Sequence, residues 1–340
     1  MCPMRFHRLA AALAFGAALT GGAAAQTPSI PTFPNAIHAD VAEHLNQARI
    51  IAGKENRQHF YRACIYSQVY PMYAASAQAP YLMPPIQVFD QVYWVGQGAI
   101  SAWVVKTSAG LVVIDSLNNA SQAQTILVAG MVKLGLNPAD IKYVLLTNEN
   151  ADHIGGAKYL QETYGAKVMA SAPAWAAMAS AAGAPMQDIV LYDGQRSTIG
   201  DVTFDFTLTP GVTAGALTAI FPVSDKGTRR MAAFHSGLAI PDSAEGKMTQ
   251  IDSLAKFATV SQAAGVNVLM SAYGSEDLSV YGHDLLRHRR AFSRAPKSAA
   301  DFQDPHPYVM AASGQYQRFL QIISECTRVA AARNGQVLPR

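Results

Sequence analysis

The chain is 340 residues long and half of it is hydrophobic, with 26 Lys+Arg against 23 Asp+Glu and a formal net charge of +3. So even a balance offers no electrostatic footprint for nucleic acid, and no apolar segment is long enough to span a bilayer. A soluble globular protein with one large core is expected.

In chain order, Arg5, His7 and Arg8 precede an apolar run over 9–19, and Ala23-Ala24-Ala25 offers a small-residue cleavage site before Gln26. This is the pattern of a secretory signal peptide over residues 1–25, which places the mature chain in the periplasm or outside the cell. The alternative for the same residues is a buried N-terminal helix. Cleavage removes Arg5, Arg8 and Cys2, leaving 24 basic residues against 23 acidic ones and two cysteines, Cys64 and Cys326. In an oxidising compartment these invite one disulfide across most of the chain; two separate buried thiols are the alternative.

Residues 26–86 read as an N-terminal extension, partly helical. Three prolines within 27–34 make an extended leader, 38–68 is rich in helix formers, and "APYLMPP" at 79–85 closes the segment. The main domain is expected over 87–292. Its first runs, "QVYWVGQG", "ISAWVVKT" and "LVVID", are β-branched and aromatic, and read as successive antiparallel strands. A helix over 120–134 is closed by Gly135, followed by the strand "IKYVLLT", a helix to Tyr164, the strand "KVMAS" and a helix from Pro173. "STIGDVTFDFTLTPG" reads as a hairpin turning at Gly200-Asp201, "GALTAIFPV" and "RRMAAFHSG" as further strands, 249–264 as a helix and "VNVLMSAYG" as a final strand. Helices over 279–291 and 308–331 follow, the latter in a C-terminal segment, 293–340, packed on the domain. The fold class is α/β: two mixed sheets face to face with outer helices, a four-layer αββα sandwich.

Residues with chemical potential gather at the strand ends. "GLVVIDS", "YVLLTNENADHIGG", "LTPGVTAG", "AAFHSG" and "LMSAYG", in this order and at these spacings, resemble the metallo-β-lactamase fold superfamily, most closely its exported, third-subclass-like branch. The resemblance covers about residues 87–290, and the tail "DPHPYVM…QRFL…SEC" fits the same branch. It implies a dinuclear zinc hydrolase whose ligands come from a His-x-His-x-Asp-His run, a Pro-Gly-His-Thr turn and a His ending a late strand. Such zinc leaves a coordination position for water and lowers its pKa towards about 7.

Mapped onto this chain, Asn148 and Asn150 stand at the two leading histidines, Val212 at the turn histidine and Tyr273 at the last, so four ligand positions are degenerate. Asp152 and His153 keep their types. With His235 they would form a single three-ligand metal site, Tyr273 or Glu149 adding an oxygen. Otherwise Asp152 and His153 serve as hydrogen-bonding groups of the loop and His235 fills a gap. The resemblance gives Asp115 a supporting role beside the loop. His283 and His288, among Arg287, Arg289 and Arg290, read as a solvated basic face, and His306 as a packing feature of the tail. Gly96-Gln97-Gly98 lacks the spacing of a dinucleotide fingerprint, no Gly-x-Ser-x-Gly elbow is present, and Ser236 and His235, adjacent on a strand, point to opposite faces.

Three readings of function follow. The favoured one is a degenerate hydrolase or ligand-binding protein, a pseudoenzyme with an incomplete zinc site, no cofactor and a small-molecule ligand in its cleft. The alternative is a hydrolase of β-lactam-, amide- or ester-like substrates with a single zinc on Asp152, His153 and His235. A metal-free hydrolase with Asp152, Tyr273 or Glu149 as general base is a third reading. Asp152 and Tyr273 are the candidate catalytic residues.

Overall fold

Strand pairing divides the domain into two sheets, the first half of the chain building one and the second half the other. The computed structural model describes residues 39–70, 82–292 and 306–339. The signal peptide and the proline-rich leader expected from the sequence lie outside these residues. The extension contributes helix α1 (Ala39–Ala52) and a second helix, α2, over 57–69 with a π-helical middle at Tyr61–Tyr66.

The first sheet runs in the order β1 (Ile86–Phe89), β2 (Val92–Gly96), β3 (Ser101–Thr107), β4 (Gly110–Ile114), β5 (Ile141–Leu145), β6 (Lys167–Ser171) and β7 (Ile189–Leu191). Pairing is antiparallel up to β4 and parallel from there on, because α3 (120–133), α4 (Ala157–Tyr164) and a short helix at Ala172–Met178 carry the chain back between strands. The second sheet runs β12-β11-β10-β9-β8. The hairpin β8 (Arg196–Ile199) to β9 (Val202–Leu208) turns at Gly200-Asp201, as the sequence predicts, and β10 (Leu217–Asp225) and β11 (Thr228–His235) continue it antiparallel. Helix α5 (Ala244–Ala263) then leads to β12 (Val266–Ser271), parallel to β11. Helix α5 begins before the expected residue 249 because Ser243 caps it, its hydroxyl accepting from Gly246 N.

Two hydrophobic clusters show how the layers stack. Ala219, Phe221 and Val223 of β10 face the other sheet, in one cluster with Trp103, while Ile220 between them faces outward. On β11, Ala232 and Phe234 go inward and Ala233 outward. Trp103 Nε1 donates to Ser271 O at 3.0 Å, tying the first sheet to the end of β12. Leu127, Met131 and Leu160 cover the first sheet from α3 and α4. The second sheet is covered by α1, α2, α5 and α7 (Gln315–Arg333, after α6 at Ser279–Phe292). This is the four-layer α/β arrangement expected.

Cys64 of α2 and Cys326 of α7 are joined by a disulfide. Helix α7 starts later than the predicted residue 308 because the preceding residues run along β12: Leu269 N donates to Tyr308 O and Met310 N to Asn267 O. His306 is a packing residue there, stacked on Phe89 at 4.2 Å. One expectation is corrected on α6. His288 is exposed, near Asp284, but His283 is fully buried, edge-on to Trp94 with ring centroids 4.6 Å apart. With Leu286 it forms the buried stripe of the helix, while Arg287 is exposed and Arg289 pairs with Asp225 at 2.7 Å.

Candidate active site

The site is built where β4, β5, β11 and β12 end together. Asp115 leaves β4 with φ +59°, a left-handed conformation that costs free energy in a residue with a side chain. What holds it there is its fully buried carboxylate, which accepts from Thr147 N at 2.9 Å, from Thr147 Oγ1 at 2.8 Å and from His153 Nδ1 at 2.8 Å. His153 sits on the single turn Ala151–Ile154, and its carbonyl takes Ser116 N and Ser116 Oγ at 2.8 and 2.7 Å. The Gly-Gly pair permits this approach: a Cβ on Gly155 would lie 2.1 Å from the Asn118 carbonyl, and on Gly156 2.4 Å from Ser116 O.

From the far side, Tyr273 reaches into the same place. Its hydroxyl donates to Asp152 Oδ2 at 2.7 Å and lies 3.0 Å from His153 Nε2. Tyr273 has one proton and gives it to Asp152, so the hydrogen in the second contact comes from the imidazole. With Nδ1 donating to Asp115, both ring nitrogens of His153 are donors, which describes the imidazolium. Burial opposes that charge, but Asp115, then Asp152 and Glu276, outweigh it and hold the His153 pKa above its ordinary value. Burial and the Asp152 charge push the Tyr273 phenol far above its own, so Tyr273 is a proton holder and no nucleophile.

The substituted ligand positions are occupied with other work. Asn148 is buried, donating from Nδ2 to Ser236 O at 2.8 Å while its Oδ1 accepts from Asn150 N at 2.8 Å. Asn150 itself precedes the turn bearing Asp152. Glu149 pins the loop after β9, accepting from Thr213 Oγ1 at 2.8 Å and Gly215 N at 3.2 Å.

His235 does not join Asp152 and His153. It continues the outward parity of Ala233 into the helix layer, where its Nε2 meets Tyr316 OH at 2.6 Å and its ring packs on Phe257 and Phe319. Burial lowers its pKa to about 3, so it is neutral. With Val212 it borders a gap of about 20 Å³, room for a single water.

The residues present therefore do not fit a zinc pair. Among the described residues no group of three or more His, Cys, Asp and Glu is placed to hold a metal ion, and the expected trio of Asp152, His153 and His235 is not assembled. The side-chain atoms of Asn148 and the ring nitrogens of His153 are committed to hydrogen bonds at the distances given above, where zinc would need its donors at about 2.0–2.2 Å.

Sequence reasoning passed over three features. Thr147, after β5, completes the Asp115 cage. Glu276 and Asp277, in "YGSED", are nearly buried: Glu276 accepts from Leu238 N and Ser271 Oγ at 2.9 and 2.8 Å, and Asp277 from Ser271 N and Ser279 N, while burial pushes Asp277 up to about 7. Two adjacent acids in an otherwise uncharged strand-end loop were the available signal. Third, a cavity of about 430 Å³ opens beside Tyr273 and Glu276, walled by α2, the 238–242 loop, α5 and α7.

Comparison with known proteins places this geometry. Residues 95–222 match the sequence model of the metallo-beta-lactamase superfamily. A hydroxyacylglutathione hydrolase of Acidiphilium cryptum is 30% identical over 120 residues, 35% of this chain and 44% of the relative, so the match spans less than half of that relative's length. Among solved structures, a subclass B3 metallo-beta-lactamase of Bradyrhizobium japonicum aligns over 74% of this chain and 94% of its own, with 24% identity and a TM-score of 0.57. The native metallo-beta-lactamase of Legionella gormanii aligns over 71% and 93%, with 18% identity and a TM-score of 0.59. At these identities the structural likeness is one of fold. Residues 95–222 thus match the metallo-beta-lactamase superfamily in sequence, and the strand order gives the chain the fold of the solved metallo-beta-lactamases.

Proposed function

We propose that this protein is an exported member of the superfamily that has given up dizinc hydrolysis and uses its cleft to bind a small molecule. The observation that carries this reading is the Tyr273 hydroxyl, hydrogen-bonded at once to Asp152 and His153, the two inherited ligands. A proton network there satisfies the groups that a metal would otherwise satisfy. Hydrolysis through metal-bound hydroxide needs the metal to be held first. The disulfide supports a working life in an oxidising compartment.

The test is elemental analysis of mature protein dialysed against micromolar zinc, beside turnover assays with a β-lactam, a simple ester and a hydroxyacylglutathione. Substoichiometric zinc and no chelator-sensitive turnover are expected. Stoichiometric zinc lost in Asp152→Ala, or chelator-sensitive hydrolysis, would overturn the reading in favour of a metal hydrolase.

A further inference from the structure

The cavity beside Tyr273 is unlike the hydrogen-bonded site it adjoins. Much of its wall is apolar, from Leu238, Ile240 and Pro241 of the loop after β11 and Ile323 and Ala330 of α7. Four charged residues also line it: Arg62, Glu276, Asp242 and Lys247. Two of these are matched internally, since Glu276 and Asp277 both bear on the Arg62 charge, and Arg62 Nη2 donates to Ser275 Oγ at 2.5 Å.

Lys247 is different. It is 1% exposed, and its ammonium donates to the neutral carbonyl of Asp242 at 2.7 Å. The carboxylate of Asp242 bears on it from an exposed residue, partly through solvent. An ammonium has three donors, and removing it from water is costly unless a counter-charge meets it. Here a buried cation stands at the edge of an apolar space large enough for a small organic molecule.

We propose that this chamber binds a small organic carboxylate, its charge paired with Lys247 and its apolar body against Leu238, Ile240 and Ile323. The inference deepens the functional reading above and rests on it, naming the chemistry of the ligand and a place for it behind the site. The walls come largely from α2 and α7, the two helices that the disulfide joins, so the extension and the C-terminal helix have a role as the walls of a binding chamber.

Calorimetric titration of the mature protein with octanoate and with octanamide, a neutral compound of nearly the same shape, tests it. Octanoate is expected to bind about tenfold or more tightly than octanamide, the scale of a charge-assisted contact. In Lys247→Met that preference should vanish, while Lys256→Met, which removes an exposed lysine of the same helix, should keep it. If Lys247→Met does not fold, the octanoate–octanamide comparison on the unaltered protein decides alone. Equal binding of the two compounds, or binding of neither at millimolar concentration, overturns the proposal. Zinc content of the same preparation separates the two ideas: stoichiometric zinc removes the functional reading, whereas zinc-free protein that ignores octanoate removes only this inference.

Discussion

Asp115 shows at the residue scale how hydrogen bonds hold the site together. Its carboxylate serves Thr147 and His153 and repays the strained backbone at φ +59°. Asparagine tolerates that backbone conformation but would set an amide group against donors already in place. Asp115→Asn is therefore expected to cost about 2–4 kcal/mol in urea unfolding, the scale of buried hydrogen bonds to a charged group, and a loss below about 1 kcal/mol would show that the cage is dispensable. The same scale shows what the sequence disclosed. Asn148, Asn150, Val212 and Tyr273, at positions where the resemblance expects imidazoles, stand in the sequence itself. The direction of His235 was not readable there: "MAAFH" puts Ala233 and His235 on one face, but with alanine on both faces the pattern does not say which one meets the helices. The bridge from Tyr273 to Asp152 was not, because it joins residues 121 apart in sequence whose meeting depends on where β12 ends.

At the scale of elements, the disulfide is the feature with most leverage. It closes a loop with a sequence separation of 262 and fastens α2 to α7, which otherwise meet through contacts such as Arg333 Nη1 to Cys64 O at 2.7 Å. Cys64→Ala with Cys326→Ala is expected to lower stability by about 3–5 kcal/mol in denaturant unfolding, a figure that follows from the loop-closure entropy returned to the unfolded chain. It should also speed proteolysis within 39–70 more than within the sheets. Equal protection of both regions would mean that the helical packing alone secures the extension. Most elements were legible from periodicity, Gly turns and β-branched runs. Those displaced were set by things outside their own pattern: the Ser243 cap lengthened α5, and pairing with β12 delayed α7.

For the whole molecule, pH is the sensitive variable. Burial lowers His59, His235 and His283 to about 3 and His306 to about 4, against 6.5 for an unperturbed imidazole. Below pH 6.5 the unfolded chain therefore takes up more protons than the folded one, so stability present above 6.5 is lost as pH falls towards 3–4. At pH 5 this amounts to at most about 2 kcal/mol per histidine, enough together to consume a typical folding margin of about 5–15 kcal/mol. His153 and Asp277, both raised, act in the opposite sense, losing their contribution as pH rises through their folded values. The melting temperature should fall steeply from pH 6.5 to 4.5; a flat profile there would contradict the burial of these imidazoles as neutral groups. The chamber was the least legible feature of all, because its walls come from widely separated stretches that no local pattern connects.

The covalent clasp between α2 and α7 also has a mechanical side. Every strand of both sheets lies between Cys64 and Cys326. Stretched from its two ends, the oxidised protein would carry tension through the sulfur bridge and leave the sheets slack, lengthening only in the segments outside the bridge. Adding a reductant would transfer the load to the sheets and release a contour length equal to the enclosed loop.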